Sequence, residues 1–159
     1  MTSKFSESPL SGLHSPPASA SDPRAVAGGQ LPIAVVGAHL SGMPLNGELT
    51  GAGGALVKRC RTAPDYRLFV LPDTVPAKPG VVREPGFSGP GLDVEVWALD
   101  AAAFGAFVAR IPAPLGIGKM TLDDGTQVPG FLCEAHAVAG AQEITALGGW
   151  RAYIASRQS

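Results

Sequence analysis

The sequence has few of the residues that mark the commonest functional sites. Its 159 residues include two cysteines, three histidines and 16% charged residues, with a formal net charge of −1 at pH 7. A near-neutral chain gives no electrostatic footprint for nucleic acid or for an anionic membrane surface, so we expect neither partner. The two cysteines, Cys60 and Cys133, lack a C-x-x-C or histidine spacing. The absence of such a spacing argues against a disulfide framework and against a metal site.

Long hydrophobic runs and cofactor motifs are also missing. No stretch approaches the roughly 20 apolar residues that cross a bilayer, and the N-terminus lacks a charged region followed by an apolar one. The phosphate-loop, nucleophile-elbow and metalloprotease motifs are absent, and GAGG at 51–54 is not a dinucleotide fingerprint. We therefore expect a cytoplasmic protein that uses no cofactor.

The sequence is rich in glycine, proline and apolar residues. It contains 21 glycines, 15 prolines and 45% hydrophobic residues, which is typical of a globular domain with many tight turns. Residues 1–29 combine Ser, Pro, Ala and Gly with few large apolar groups, which predicts a disordered leader. The folded domain is predicted over residues 30–157.

Short strand patterns dominate the first half of the predicted domain. The apolar run IAVVGA at 33–38 predicts a central strand buried on both faces. Residues 55–62 and 66–71 are strand-like and are predicted to pair as a hairpin, with Pro64 in the turn. Prolines at both ends of 78–86 predict an edge strand or an extended loop.

The second half mixes strands with two helices. Residues 92–99 alternate, as in a strand, and the turn DDG between 116–122 and 126–134 predicts a hairpin. Apolar residues at helical spacing predict one amphipathic helix over 100–111 and a short closing helix over 148–157. Strands and helices do not alternate regularly, so the pattern favours an α+β fold with a curled or barrel-like sheet.

His39 is the first candidate for chemistry, because it directly follows the predicted central strand. Where a strand ends in small residues and the chain turns, successive backbone N–H groups can converge on an anion. An anion held there would raise the pKa of a neighbouring imidazole toward neutrality, which suits proton transfer. A lone histidine after a strand is more often structural, so both interpretations stay open on the residues alone.

Other polar residues are candidates with structural alternatives. Arg61 and Arg67 flank the turn TAPDY and could clamp a carboxylate, although arginines on a hairpin usually face solvent. Tyr66 could turn its hydroxyl into a site or could be a core aromatic residue. Asn46 could bind a ligand or could hold the loop backbone.

Several segments, in order, resemble one known family. They are VVGAHLSGMPLNGEL, RTAPDYRLFVLP, KPG, VEVWAL, FVARIPAPLGIG, DGTQVPGFLCE and ITALGGWRAYIA. Together they cover nearly everything from Leu31 to Ala155 and closely resemble the C-terminal domain of allophanate hydrolase, within the γ-glutamylcyclotransferase-like superfamily. The resemblance implies an α+β fold, a small mixed β-barrel with a few short helices, in agreement with the pattern of elements.

The resemblance also implies an activity. The loop histidine that the family uses matches His39, and the implied reaction is the cofactor-free decarboxylation of N-carboxycarbamate, a small dianion, in urea or amide nitrogen degradation. His39 is therefore the predicted general acid/base. The predicted substrate-binding residues are Gly37, Ala38, Leu40, Ser41, Asn46, Tyr66 and Arg67.

Two other functions stay open at the level of sequence. Cyclotransferase enzymes of the superfamily use a glutamate in the region that corresponds to 107–116, where this sequence has no acid. That departure argues against γ-glutamyl cyclisation. A non-catalytic accessory module of an amidase complex is the second alternative. The resemblance also implies a separate amidase subunit as a partner, and a homodimer stays open.

Overall fold

The computed structural model describes residues 26–159, so most of the predicted leader, residues 1–25, lies outside the described residues. The strands are β1 (Gln30–Val35), β2 (Ala55–Arg61), β3 (Tyr66–Val70), β4 (Pro79–Arg83), β5 (Asp93–Asp100), β6 (Leu115–Thr121), β7 (Gln127–Cys133) and β8 (Gln142–Glu143). The helices are α1 (Gly47–Thr50), α2 (Ala101–Ala109) and α3 (Trp150–Arg157), with 3₁₀ turns at Ala135–Val138 and Thr145–Leu147.

The larger sheet has five strands in the order β2-β5-β1-β7-β6. β1 lies in the middle, antiparallel to β5 and parallel to β7, so the sheet is mixed as predicted. Its residues Ile33, Ala34 and Val35 are fully buried. The prediction of a central strand buried on both faces, made from the apolar run alone, is confirmed.

The predicted pairing of β2 with β3 is wrong. β2 pairs with β5, whereas β3 pairs with β4 and β8 in a second sheet of three strands. β5 is buried on both faces over residues 94–99, and it needs a partner along each edge. β1 occupies one edge and β2 the other, so Pro64 lies where the chain crosses between sheets.

The mixed α+β architecture is confirmed, but the described strands form two sheets rather than one closed barrel. The smaller sheet has the order β4-β3-β8, and its edge strand β4 lies against β7 of the larger sheet. The prediction of an edge strand at β4 is confirmed. The two sheets share one hydrophobic core, which includes Tyr66, Leu68, Val96 and Trp150.

A hairpin and two helices are found where the sequence predicts them. β6 and β7 form the second hairpin, with Gly125 at a φ of 85° in its turn. α2 buries Phe107, and α3 buries Trp150 and Tyr153. No helix in the described part of the chain has the length and apolar character needed to span a membrane.

Candidate functional site

A cavity of about 330 Å³ opens beside the end of β1. Its wall combines the loop after β1 with residues from α1, β4, α2, β6 and β7. The residues are Val36, Gly37, Ala38, His39, Leu45, Glu48, Lys78, Pro79, Val81, Phe107, Arg110, Ile111, Pro112, Leu115 and Phe131. The wall is mostly apolar and carries a few ionisable groups, as in many small-molecule sites.

The backbone of the loop after β1 presents unused N–H groups. The carbonyl oxygens of Gly37 and Ala38 accept hydrogen bonds from the N–H groups of Leu40 and Leu45, at 3.0 and 2.8 Å. The N–H groups of Gly37, Ala38 and His39 donate to no other described residue. In a trans peptide the C=O and N–H groups point in opposite directions. The bonds that hold the carbonyls within the loop therefore turn the N–H groups of Ala38 and His39 outward, where an anion can accept from them.

A close contact explains the glycine at the start of this loop. A Cβ atom at Gly37 would lie 2.3 Å from Cδ of Pro79, the first residue of β4. Only glycine lets the loop approach β4 at this distance. The contact joins the two sheets at the wall of the cavity.

The side chain of His39 is positioned from three directions. Its Nε2 lies 2.9 Å from Oε2 of Glu48 in α1, and the ring contacts Phe107 edge to face at 5.0 Å and stacks on Phe131 at 5.2 Å. The amide of Asn46 donates to the His39 carbonyl at 2.9 Å. Only 12% of the imidazole side chain is exposed. The ring is therefore fixed at the cavity wall, and Nδ1 has no partner among the described residues.

Opposing influences act on the pKa of His39. Burial lowers the pKa below its usual 6.5, the hydrogen bond and charge of Glu48 raise it, and the charge of Lys78 lowers it further. The net direction is downward, so the free protein holds a neutral imidazole at pH 7. An anion bound in the cavity would favour the charged form and would raise this pKa.

We expect the His39 ring in the free protein to titrate below 6.5 and the Glu48→Gln variant to titrate lower still, because the variant loses the carboxylate that favours the charged ring. Since the folded-state pKa is below the unfolded value, this group destabilises the fold as the pH falls below about 6.5. ¹H–¹⁵N NMR of the imidazole nitrogens measures both titrations. A free-protein value above 6.5, or an upward shift in Glu48→Gln, contradicts this electrostatic account.

Two cations complete the polar part of the wall. Lys78, just before β4, and Arg110, just after α2, both line the cavity. Within residues 26–159, neither forms an ion pair with a carboxylate, and the one lining carboxylate, Glu48, is bonded to His39. Unpaired cations beside free N–H groups favour an anionic ligand.

The structure brings together only part of the predicted site. Gly37, Ala38 and His39 line the cavity, and Asn46 supports the loop through the His39 carbonyl. Leu40 is 2% exposed and lies in the core, on the wall of a second cavity. Ser41 turns away as well, and its N–H donates to Oε1 of Glu95 at 2.7 Å.

Tyr66 and Arg67 lie away from the cavity. Tyr66 is fully buried, and its hydroxyl accepts a hydrogen bond from the N–H of Thr121 at 2.8 Å, so it is a core aromatic residue. Arg67 pairs with Glu84 and Glu143 and lies 3.8 Å over the ring of Phe87. Their positions do not support the prediction that these two residues complete the pocket.

Three residues of the cavity were not found from the sequence. Glu48, Lys78 and Arg110 come from separate elements, and no spacing relates them to His39. Glu48 follows His39 by nine residues and reaches it because the loop folds back into α1. Its place inside a segment that carries the family resemblance was the one available signal.

Comparison with known proteins gives a family match and matches to individual proteins. A family model described as the allophanate hydrolase C-terminal domain matches residues 31–155. Urea amidolyase of Saccharomyces cerevisiae is 38% identical over 125 residues, which are 77% of this chain and 7% of that protein. The crystal structure of Kluyveromyces lactis urea amidolyase matches with a TM-score of 0.77 and 36% identity, over 81% of this chain and 8% of that chain.

A shorter protein matches over most of its length. The structure of a uropathogenic E. coli-specific protein is 39% identical, with a TM-score of 0.71, over 79% of this chain and 96% of that chain. This chain therefore spans less than a tenth of the two urea amidolyases and corresponds to nearly all of the E. coli protein.

Proposed function

Because the chain belongs to the allophanate hydrolase C-terminal domain family, we propose that its cavity binds a small dianion and decarboxylates N-carboxycarbamate in urea degradation. The observation that carries the proposal is the composition of one cavity wall. Gly37, Ala38 and His39, whose N–H groups donate to no other described residue, line the same cavity of about 330 Å³ as Lys78 and Arg110.

The polar groups of the wall suit a ligand with two carboxylates. N-carboxycarbamate carries one carboxylate on each side of a single nitrogen. The N–H groups of Ala38 and His39 would donate hydrogen bonds to one carboxylate, and Lys78 and Arg110 would pair with the other. Phe107 and Phe131 lower the local dielectric constant, which strengthens these charge-assisted hydrogen bonds.

The reaction needs one proton at the nitrogen. The C–N bond to one carboxylate breaks, CO₂ leaves, and the bonding electron pair stays on nitrogen. A proton from His39 then completes the product carbamate, and solvent returns a proton to the ring. The dianion raises the pKa of His39, so binding itself supplies the charged imidazole that donates.

Glu48 has a supporting role in this proposal. Its bond to Nε2 holds the ring and partly offsets the burial that lowers the pKa of His39. Nδ1 is then the nitrogen left for the substrate. Charge on Glu48 also compensates for one of the two cations, so the empty cavity carries less unbalanced charge.

The direct experiment couples this chain to an amidase. An amidase that lacks this domain would convert allophanate to N-carboxycarbamate in place, and ¹³C NMR would follow the decay of that intermediate with and without this chain. We expect faster CO₂ release with the chain present. Equal decay rates would overturn the decarboxylase proposal, and association with the amidase without a rate effect would indicate an accessory module instead.

The cyclotransferase alternative has one observation in its favour. Glu48 supplies a carboxylate at the cavity wall, whereas residues 107–116 contain no acidic residue. That carboxylate is engaged with His39, and the cations of the wall suit a dianion better than a γ-glutamyl amine. Formation of 5-oxoproline from γ-glutamyl amines would favour this alternative.

A further inference from the structure

Glu95 is a buried carboxylate behind the loop that forms the cavity wall. It lies in β5, opposite Val35 of β1 and Arg59 of β2, and its side chain is 3% exposed. Oε1 accepts from the N–H of Ser41 at 2.7 Å, and the Ser41 hydroxyl lies 3.0 and 2.9 Å from the two carboxylate oxygens. The carboxylate therefore holds the middle of the loop, residues 36–46, that joins β1 to α1.

Two arginines complete the environment of Glu95. Nε of Arg59 lies 3.2 Å from Oε2, and Nη2 of Arg151 lies 3.4 Å from the same oxygen and 2.6 Å from the Ser41 carbonyl oxygen. Trp97 adds its indole N–H at 3.4 Å. Strand β2, strand β5, helix α3 and the loop thus meet at one carboxylate, beside a second cavity of about 380 Å³.

The partners of Glu95 require an ionised group with two acceptor oxygens. Burial raises the pKa of Glu95, but the hydrogen bonds from Ser41, Trp97 and Arg59 outweigh it, so the net pKa lies below the usual range. A glutamine would keep one acceptor oxygen and would turn an NH₂ group toward the arginine donors. The site therefore stabilises the carboxylate of Glu95 better than it would stabilise the neutral amide of a glutamine.

Within the loop, the N–H group of Ser41 is hydrogen-bonded, and the N–H groups at the start of the loop are not bonded to any described residue. The N–H of Ser41 is used by Glu95, whereas the N–H groups of Gly37, Ala38 and His39 donate to no described residue. A loop segment that a carboxylate and an arginine fix two residues after His39 has few other conformations. The carbonyl bonds of Gly37 and Ala38 turn the free N–H groups outward, and the fixed position of Ser41 limits how far this part of the loop can move.

We propose that Glu95 is a positioning residue that sets the conformation of loop 37–41 and so aims its free N–H groups into the cavity. Glu95 lies outside the cavity wall, so we expect it to make no contact with a ligand bound there. For its effect on ligand binding the inference rests on the proposed function, but its effect on the loop does not. A displacement of about 1 Å in a binding group can cost 10²-fold in activity, so a misplaced loop has a measurable effect.

The test compares Glu95→Gln with Glu84→Gln, a matched change in an exposed glutamate that pairs with Arg67. The probe is malonate, a stable dianion in which CH₂ replaces the NH of N-carboxycarbamate. We expect Glu95→Gln to weaken malonate binding about tenfold or more and to shift the amide resonances of Gly37, Ala38 and His39. In the amidase-coupled assay KM rises more than kcat falls, since His39 is retained. Glu84→Gln leaves all three unchanged.

A second variant keeps the test decisive if Glu95→Gln does not fold. Arg151→Gln removes the bonds to the Ser41 carbonyl and to Glu95 from an exposed side chain, and we expect the same three changes at smaller size. The inference would be overturned if the folded variants kept the wild-type amide chemical shifts at Gly37, Ala38 and His39. An unchanged malonate affinity would overturn it as well. If wild-type protein binds no malonate, the proposed function fails, and the amide shifts of the variants still decide the role of Glu95.

Discussion

Replacing His39 with alanine is expected to lower the decarboxylation rate by about 10²- to 10⁴-fold, which is the usual contribution of a positioned general acid. The ring is the one group in the cavity that both has a free nitrogen and changes its charge near neutral pH. Without it, protonation of the departing nitrogen depends on water. The amidase-coupled ¹³C assay measures the change, and malonate binding should persist, because the N–H groups and cations remain.

The chain supplies a matched control for this substitution. His136 lies 2.9 Å from Glu134, the same spacing as in the pair of His39 and Glu48, but its side chain is 73% exposed. We expect His136→Ala to keep the wild-type rate. Equal rates for His39→Ala and wild type, with both proteins folded, would remove His39 from the reaction.

The second large effect is expected on ligand affinity. Replacing Lys78 and Arg110 together with methionine should weaken malonate binding about 100-fold, since a hydrogen bond to a charged group contributes roughly 1.5–3 kcal/mol. The lower bound applies here because Arg110 is exposed and therefore screened by solvent. Calorimetric titration measures the loss, and the remaining affinity should depend less on salt.

Two comparisons show whether that loss comes from the cavity. Lys119→Met removes an exposed cation of β6 that does not line the cavity, and it should leave the affinity unchanged. Acetate, with one carboxylate, should bind far more weakly than malonate to the wild-type protein. A double variant with wild-type affinity would show that the dianion does not contact these cations.

Local sequence patterns predicted the strands and turns that depend on residues close together in the chain. The apolar run before Gly37 predicted the central strand, and the turn DDG predicted the hairpin of β6 and β7. The partner of β2 was predicted wrongly, because two strand-like runs near each other in sequence do not reveal a third strand with an open edge. β5 lies more than 30 residues beyond β2 along the chain and supplies that edge.

The same holds for the candidate site: residues of one loop were predicted, and residues brought together by packing were not. His39 and the residues beside it could be named as candidates, because they are neighbours in one short loop. Lys78 and Arg110 reach the cavity only through the packing of β4 and α2 against that loop. Glu95 looked like one member of an alternating strand, and its burial became visible only when Ser41 and Arg151 were placed beside it.

The most direct measurement of the central claim is the position at which malonate binds. In ¹H–¹⁵N spectra of the wild-type protein, we predict that malonate shifts the amide resonances of Gly37, Ala38 and His39 first and most strongly, together with the imidazole of His39. If the amide shifts saturate with the dissociation constant that calorimetry gives, both measurements report the same binding event. Shifts confined to the second cavity around Arg59 and Arg61, or no shift in loop 37–41 at saturating malonate, would contradict a dianion site at the end of β1.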